Sequence, residues 1–198
     1  MKFTPTIGFQ RTAPLRRAAA EARSSGQTEN VAPRIEVDDL TRPEVLALIE
    51  EHLLDMHALS PPGNVFAFDA TKLKAHDVTF WTAWQDRTLV GCAALKALSP
   101  TAGEIKSMRT PQSMRRTGAG RALLAHLVGV ARTRGYSMLY LETGRHPNFL
   151  PAQALYRSAG FQVCGAFGSY SATEFNVFMA LSLNASRNEG PQNVSEEG

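Results

Sequence analysis

Residues 113–124, SMRRTGAGRALL in one-letter code, gather in one place the residue types that bind a phosphorylated ligand. Arg115 and Arg116 stand just before Gly118-Ala119-Gly120, and an apolar helical pattern follows at once. The first turn of a helix leaves its backbone N–H groups unpaired and carries the positive end of the macrodipole, so an anion is a natural guest there. Glycine lets the backbone approach that guest closely, at a cost in helix propensity. Arg115, Arg116 and Arg121 would add charge-assisted hydrogen bonds, which suit a diphosphate better than a lone carboxylate. The plain alternative is a helix start whose glycines permit close packing and whose arginines are solvated, and spacing leaves both open. Spacing does exclude two nucleotide motifs: no Gly-x4-Gly-Lys-Ser/Thr occurs, and Leu123 stands where a dinucleotide fingerprint needs its third glycine.

The charge pattern favours the anion reading. From Ile105 to Leu141 there is no acidic residue, while Lys106, Arg109, Arg115, Arg116, Arg121, Arg132 and Arg134 supply seven positive charges. Between Glu36 and Asp77 the balance reverses, with nine acids against three cations. Such segregation would draw an anionic cofactor to one lobe and a cationic acceptor to the other, or reflect nothing more than solvated helix faces.

These residues need a scaffold, and the whole chain bounds it. At 198 residues with 43% hydrophobic and 20% charged residues, the sequence suits one globular domain with tails. The net charge of +3 conceals a leader, residues 1–34, with six basic and two acidic side chains, so the rest sums to −1. A basic excess confined to a leader argues against nucleic acid as partner. The leader reads as a disordered extension, with an organellar transit peptide as the alternative. No apolar run is long enough for a membrane span, and Cys92 and Cys164 lie far apart without a Cys-x-x-Cys. A cytoplasmic protein is expected. His52, His57, His76, His126 and His146 share no metal-ligand spacing, so no metal is expected. Trp81 and Trp84 read as core or sheet surface rather than a nucleobase platform.

Periodicity predicts a short strand at Ile35 to Val37 and a helix after Thr41, with Glu44 completing a capping box and Pro43 in the first turn. Val45, Leu48, Ile49, His52, Leu53 and Met56 share one face of that helix, and Ser60-Pro61-Pro62-Gly63 ends it. A short helical piece near 71–73 precedes a hairpin, 78–84 with 89–98. Further strands are predicted at 104–110, 137–143, 161–164 and 176–183. A helix runs from the glycine motif to about Arg134, capped by Gly135, and another from Pro151 to Ser158, followed by Gly160. Residues 184–198 read as a disordered tail.

With the elements in place, residues 35–183 resemble the Gcn5-related N-acetyltransferases (GNAT), which move acetyl from acetyl-coenzyme A to an amine. The family's Gln/Arg-x-x-Gly-x-Gly/Ala appears as Arg115-Arg116-Thr117-Gly118-Ala119-Gly120. Its Ala-x-x-Leu-Tyr followed by Gly-Phe appears as Ala152-Gln153-Ala154-Leu155-Tyr156 and Gly160-Phe161. The resemblance implies an α/β fold: a mixed, mostly antiparallel sheet with splayed fourth and fifth strands and helices on both faces. Met108, Arg109 and Thr110 would lie along the cofactor's pantetheine arm, with Arg115 to Arg121 at its diphosphate. Many members carry Asn three residues before that Ala; here Phe149 stands there, with Asn148 beside it.

The same resemblance implies the chemistry. A primary amine with a pKa near 10.4 must lose a proton before it attacks a thioester. Glu104, eleven residues before Arg115, has the offset of the glutamate base in the histone-modifying branch; Glu142 and a water chain compete with it. The backbone N–H of Met108 would stabilise the oxyanion of acyl transfer, and Tyr156 would protonate the leaving thiolate as general acid or serve as a core anchor. His57, Pro61, Pro62, Phe66 and Lys106 fall where the acceptor would bind. A small-molecule amine or amino acid is the expected substrate, and a homodimer is possible by analogy. Another acyl donor or an O-acceptor, and a coenzyme A-binding regulatory module without turnover, are the competing readings.

Overall fold

The computed structural model describes residues 32–61 and 65–184. The leader, residues 62–64 and the tail of the sequence reading therefore lie outside the described residues, apart from 32–34 and Asn184. The elements follow the predicted order: β1 (Arg34–Val37), α1 (Pro43–Leu59), α2 (Ala70–Leu73), β2 (Val78–Gln85), β3 (Thr88–Ser99), β4 (Ala102–Arg109), α3 (Ala119–Thr133), β5 (Met138–Gly144), α4 (Leu150–Ser158), β6 (Gln162–Cys164) and β7 (Asn176–Ser182). They build one seven-stranded sheet in the order β1-β2-β3-β4-β5-β7-β6. Every pairing is antiparallel except β4 with β5.

Two cores sandwich the sheet. On one face Leu123, Leu124, Leu127 and Ala131 of α3 pack with Trp81, Leu95, Ile105, Leu139, Leu141 and Met179. Their spacing of three and four along α3 puts them on one stripe. On the other face Val45, Leu48 and Ile49 of α1 meet Phe80, Trp84, Cys92 and Ala94. Each such aliphatic side chain contributes about 1.5–3 kcal/mol when fully buried, which fixes both helices against the strands that carry the site. Gly135 (φ +75°) lets α3 stop as expected, and Tyr136 N–H returns to the Ala131 carbonyl at 3.0 Å.

The start of α1 departs from the sequence reading. Arg42 is the N-cap and supplies no side-chain cap, because a guanidinium has no acceptor to offer the first-turn N–H groups. The Thr41–Glu44 capping box does not form; Thr41 Oγ1 donates to Asp39 instead, at 2.6 Å. The chain reverses earlier, where Leu40 takes φ +61° and donates its N–H to the Asp38 carboxylate at 2.7 Å.

In β4 the register against β3 slips between the pairs Lys106↔Ala94 and Arg109↔Cys92, so β4 carries one extra residue there. Ser107 sits in this bulge with φ +47°. Without the bulge, alternation would put Met108 beside α1; with it, Met108 packs toward the α3 core and Arg109 turns to α1.

At the end of β5, a Cβ on Gly144 would collide with the ring of Phe149. Gly144→Ala is therefore expected to lower stability by about 1–3 kcal/mol, the cost of overpacking, read as a shifted urea midpoint at unchanged slope.

Candidate active site

β4 and β5 pair for only four residues, from Ala102↔Met138 to Ile105↔Leu141. Beyond that point β5 stays registered with β7 as far as Gly144↔Asn176, while β4 diverges through its bulge. A wedge opens between Lys106–Arg109 and Glu142–Gly144, leaving the facing backbone of β4 without a strand partner. Ser107 Oγ and Arg109 Nε, on this stretch of β4, are buried without a hydrogen-bond partner among the described residues.

At the mouth of the wedge lies the glycine turn. A 3-10 turn, Gln112–Met114, leads into Arg116 (φ +64°) and Gly118 (φ +93°). Thr117 Oγ1 donates to the Met114 carbonyl at 2.8 Å and pins the turn. The first helical bond of α3 is Ala122 N–H to the Gly118 carbonyl, 3.0 Å. Among the described residues no acceptor meets the N–H groups of Arg116 to Arg121. Gly118 is needed for its backbone conformation, since nothing stands within 4 Å of the place a Cβ would take. A Cβ at Gly120 would lie 3.4 Å from Leu155 and 3.5 Å from Thr110 Oγ1. Arg115, Arg116 and Arg121 are exposed and form no ion pair among the described residues. Free amides, a glycine-lined approach and three unpaired guanidiniums fit a diphosphate.

The opposite, α1-side face of the wedge carries the titratable groups. Glu104 and Lys106 are both buried, and their side chains lie 3.2 Å apart. Tyr170, from the loop between β6 and β7, donates its hydroxyl to Glu104 Oε1 at 2.5 Å and accepts from Lys106 Nζ at 2.5 Å. Lys106 Nζ also sits 4.7 Å over the Phe68 ring. Around Tyr170 stand Phe66 at 5.1 Å, Phe167 at 5.0 Å and Phe178 at 5.5 Å between ring centroids. Glu142 is half-buried on the diverging part of β5. Burial pushes its carboxyl up to about 7; Lys106 works against that rise and Glu104 adds to it. Arg109 is held by Glu51 of α1 at 2.6 Å and by Asp55. Its side chain is thereby committed to α1.

The acetyltransferase (GNAT) family model matches residues 45–161. The chain is 45% identical over 149 residues to the uncharacterized N-acetyltransferase YsnE of Bacillus subtilis (strain 168), covering 75% of this chain and 99% of that one. A solved structure from Klebsiella pneumoniae subsp. pneumoniae MGH 78578, provisionally named an acyl-CoA N-acyltransferase, superposes with a TM-score of 0.61 at 29% identity over 77% of this chain and 98% of its own. A Bacillus subtilis acetyltransferase crystallised with CoA shares the fold at 20% identity, TM-score 0.54, over 76% of this chain and 98% of its own. The chain belongs to the GNAT acetyltransferase family. Its enzyme class follows: an acetyl-coenzyme A-dependent N-acetyltransferase.

The other sequence-predicted residues fall into this GNAT frame unevenly. Tyr156 of α4 is buried in the α3-side core, 5.9 Å from the Phe161 ring, and burial, followed by the Glu142 charge, raises its phenol above the ordinary tyrosine value. Asn148 is exposed in a 3-10 turn, where its N–H donates to His146 Nδ1 at 3.3 Å, while Phe149 is the buried member of the pair. His57 is exposed in the last turn of α1, with Nδ1 2.7 Å from the Leu53 carbonyl oxygen. Pro61 borders a cleft described below, and Phe66 joins the aromatic cluster. Sequence reasoning missed Tyr170, Phe167 and Phe68. The aromatic pair in FGSY, residues 167–170, was the one signal available in a loop without periodicity.

Replacing Arg115 and Arg116 together by Ala is expected to weaken coenzyme A binding by at least tenfold, as loss of charged hydrogen bonds implies. The loss should shrink as salt is raised, and thermal melting should not move. Calorimetric titration at two ionic strengths measures this.

Proposed function

We propose that the chain acetylates the primary amine of a small molecule or amino acid by direct transfer, with donor and acceptor bound together. The observation that carries the reading is Glu142, a carboxyl raised to about 7 on the diverging strand beside the wedge. A base poised near the working pH takes a proton efficiently and is ionised often enough to do so.

Acetyl-coenzyme A, when bound, supplies an acyl carbon activated as a thioester. Arg115 to Arg121 hold its diphosphate, and the unpaired edge of β4 from Ser107 to Thr110 takes its amide-bearing arm. Glu142 accepts the proton of the acceptor's ammonium and frees the nitrogen lone pair. The N–H of Met108 would stabilise the acyl oxygen, Tyr156 would give its proton to the departing sulfur, and the second proton of the acceptor nitrogen would restore the phenol. Glu104 is the weaker candidate for the base: its Oε1 already accepts from Tyr170 and sits against the Lys106 ammonium. It holds Tyr170 and Lys106 in place at the acceptor side.

Glu142→Gln is expected to lower kcat/KM by roughly 10²–10⁴, the usual contribution of a general base, and to abolish the fall in rate as pH drops through 7. The sign for stability runs the other way. A carboxyl whose folded pKa lies above its unfolded value near 4.5 binds more protons in the native state, so stability declines as pH rises from there to about 7. The Gln variant should lose that decline and melt higher than the parent at pH 8. Tyr156→Phe should lower kcat more than it changes coenzyme A affinity. Saturable coenzyme A binding with no transfer to any amine would overturn the reading and leave a binding module.

A further inference from the structure

Beyond the glycine turn and the base, one part of the acceptor side has no role in the chemistry so far. A cleft of about 520 Å³ is walled by Ala58 to Pro61 from the end of α1 and by Arg145, His146 and Phe175. That volume suits a small ligand. Arg145 directly follows β5, three residues beyond Glu142 and so roughly 10 Å along the strand direction. The cleft thus lies at the end of the strand that carries Glu142.

From this cleft we infer, on the strength of the acetyltransferase reading, that the acceptor is an amine that also bears a carboxylate and an apolar body, with Arg145 gripping the carboxylate. The guanidinium is preorganised. Arg145 N–H donates to the Phe175 carbonyl at 2.9 Å and Arg145 Nε to the Asn176 carbonyl at 3.0 Å. The first bond holds the backbone and the second orients the guanidinium through Nε, and among the described residues neither Nη meets an acceptor or an acid. A planar fork held in this way matches a carboxylate and is held at little further entropic cost. His146 Nδ1 accepts the Asn148 N–H at 3.3 Å, which leaves the proton of the neutral ring on Nε2 as a second donor.

Among the described residues no acidic side chain lines the cleft. A polycationic acceptor would face Arg145 with nothing to offset it. Phe175, 40% exposed, offers its ring to an apolar body. Its position is fixed by the buried Asn176, which accepts from Thr173 N–H at 3.0 Å and donates to the Ser171 carbonyl at 3.3 Å. The last turn of α1 presents the negative end of its dipole to the same space, which favours an acceptor that still carries an ammonium over a pure anion. The charges on the α1 side of the sheet, Glu104 with Lys106 and Arg109 with Glu51 and Asp55, are paired among themselves. Amine, carboxylate and apolar body together describe an apolar amino acid.

Steady-state acetylation of a panel of aromatic and aliphatic amino acids, each beside its amide and its decarboxylated amine, tests the assignment. The free acids are expected to exceed both counterparts in kcat/KM by at least tenfold. Arg145→Gln should bring the acids down to the level of their amides, mainly through KM, with melting temperature and coenzyme A affinity unmoved, and Arg145→Lys should restore part of the preference. Equal turnover of acids and amides by the parent, or a preference that survives Arg145→Gln, overturns the carboxylate assignment and leaves the acetyltransferase reading standing. Coenzyme A binding without turnover of any panel member overturns both.

Discussion

The site depends on two parallel strands that stay paired for four residues and then part. Three local features enforce the parting. The extra residue at Ser107 bends β4 and holds it in a left-handed backbone conformation. Arg109, turned to the α1 face by that same bulge, is tied there by Glu51 and Asp55. β5 cannot follow, because its register with β7 continues to Gly144. The ladder that would close the wedge is thus forfeited on one side by α1 and on the other by β7. Backbone groups left facing a gap inside a fold need partners, since an unmade buried hydrogen bond costs about 1–3 kcal/mol. A wedge of this kind is kept where a ligand meets them.

The charge segregation visible in the sequence resolves into two different uses. In the basic stretch, Arg115, Arg116 and Arg121 are exposed and unpaired at the glycine turn, as an anion site requires. Five of the nine acids are spent on internal pairs: Glu36 and Asp38 hold Arg42, Glu51 and Asp55 hold Arg109, and Asp77 holds Lys96. An electrostatic field steering a cationic acceptor toward that lobe is therefore weaker than the count of acids suggests. The acids of α1 act on the strand geometry instead.

How much of this was legible depends on the range over which each signal acts. The strands, α1, α3 and α4 announced themselves through periodicity, and the glycine turn through residue types within a single helical turn. The Thr41–Glu44 capping pattern misled, because a local motif competes with the reversal at Leu40 and with Asp39 for the Thr41 hydroxyl. The bulge at Ser107 was invisible, since an extra residue in one strand shows only against its neighbour. For the same reason Arg109, read from its position on β4 as a cofactor contact, has its side chain on α1. Tyr170 lies 66 residues from Glu104 in sequence, in a stretch with no pattern to place it, and Arg145 owes its orientation to the carbonyl of Asn176. Phe149 in place of an asparagine looked like a lost contact; it is the ring against which Gly144 closes the end of β5.

The two carboxylates on the α1-side face of the wedge, Glu104 fully buried and Glu142 half-buried, differ in their partners. Glu104 has a phenol and an ammonium on one oxygen, so its negative charge is answered within its own contacts. Glu142 has neither, and burial dominates its protonation. Lys106 is the cation best placed to restore Glu142 to an ordinary carboxylate, yet the Glu104 charge beside it pushes in the other direction. The buried Glu104–Lys106 pair with Tyr170 thus presents to Glu142 a nearly neutral neighbour in place of a free ammonium. The Lys106 charge favours the ionised form of Glu142 and the Glu104 charge disfavours it. The base role proposed for Glu142 calls for a surrounding close to neutral, and the Tyr170 bridge keeps the two opposing charges of Glu104 and Lys106 together.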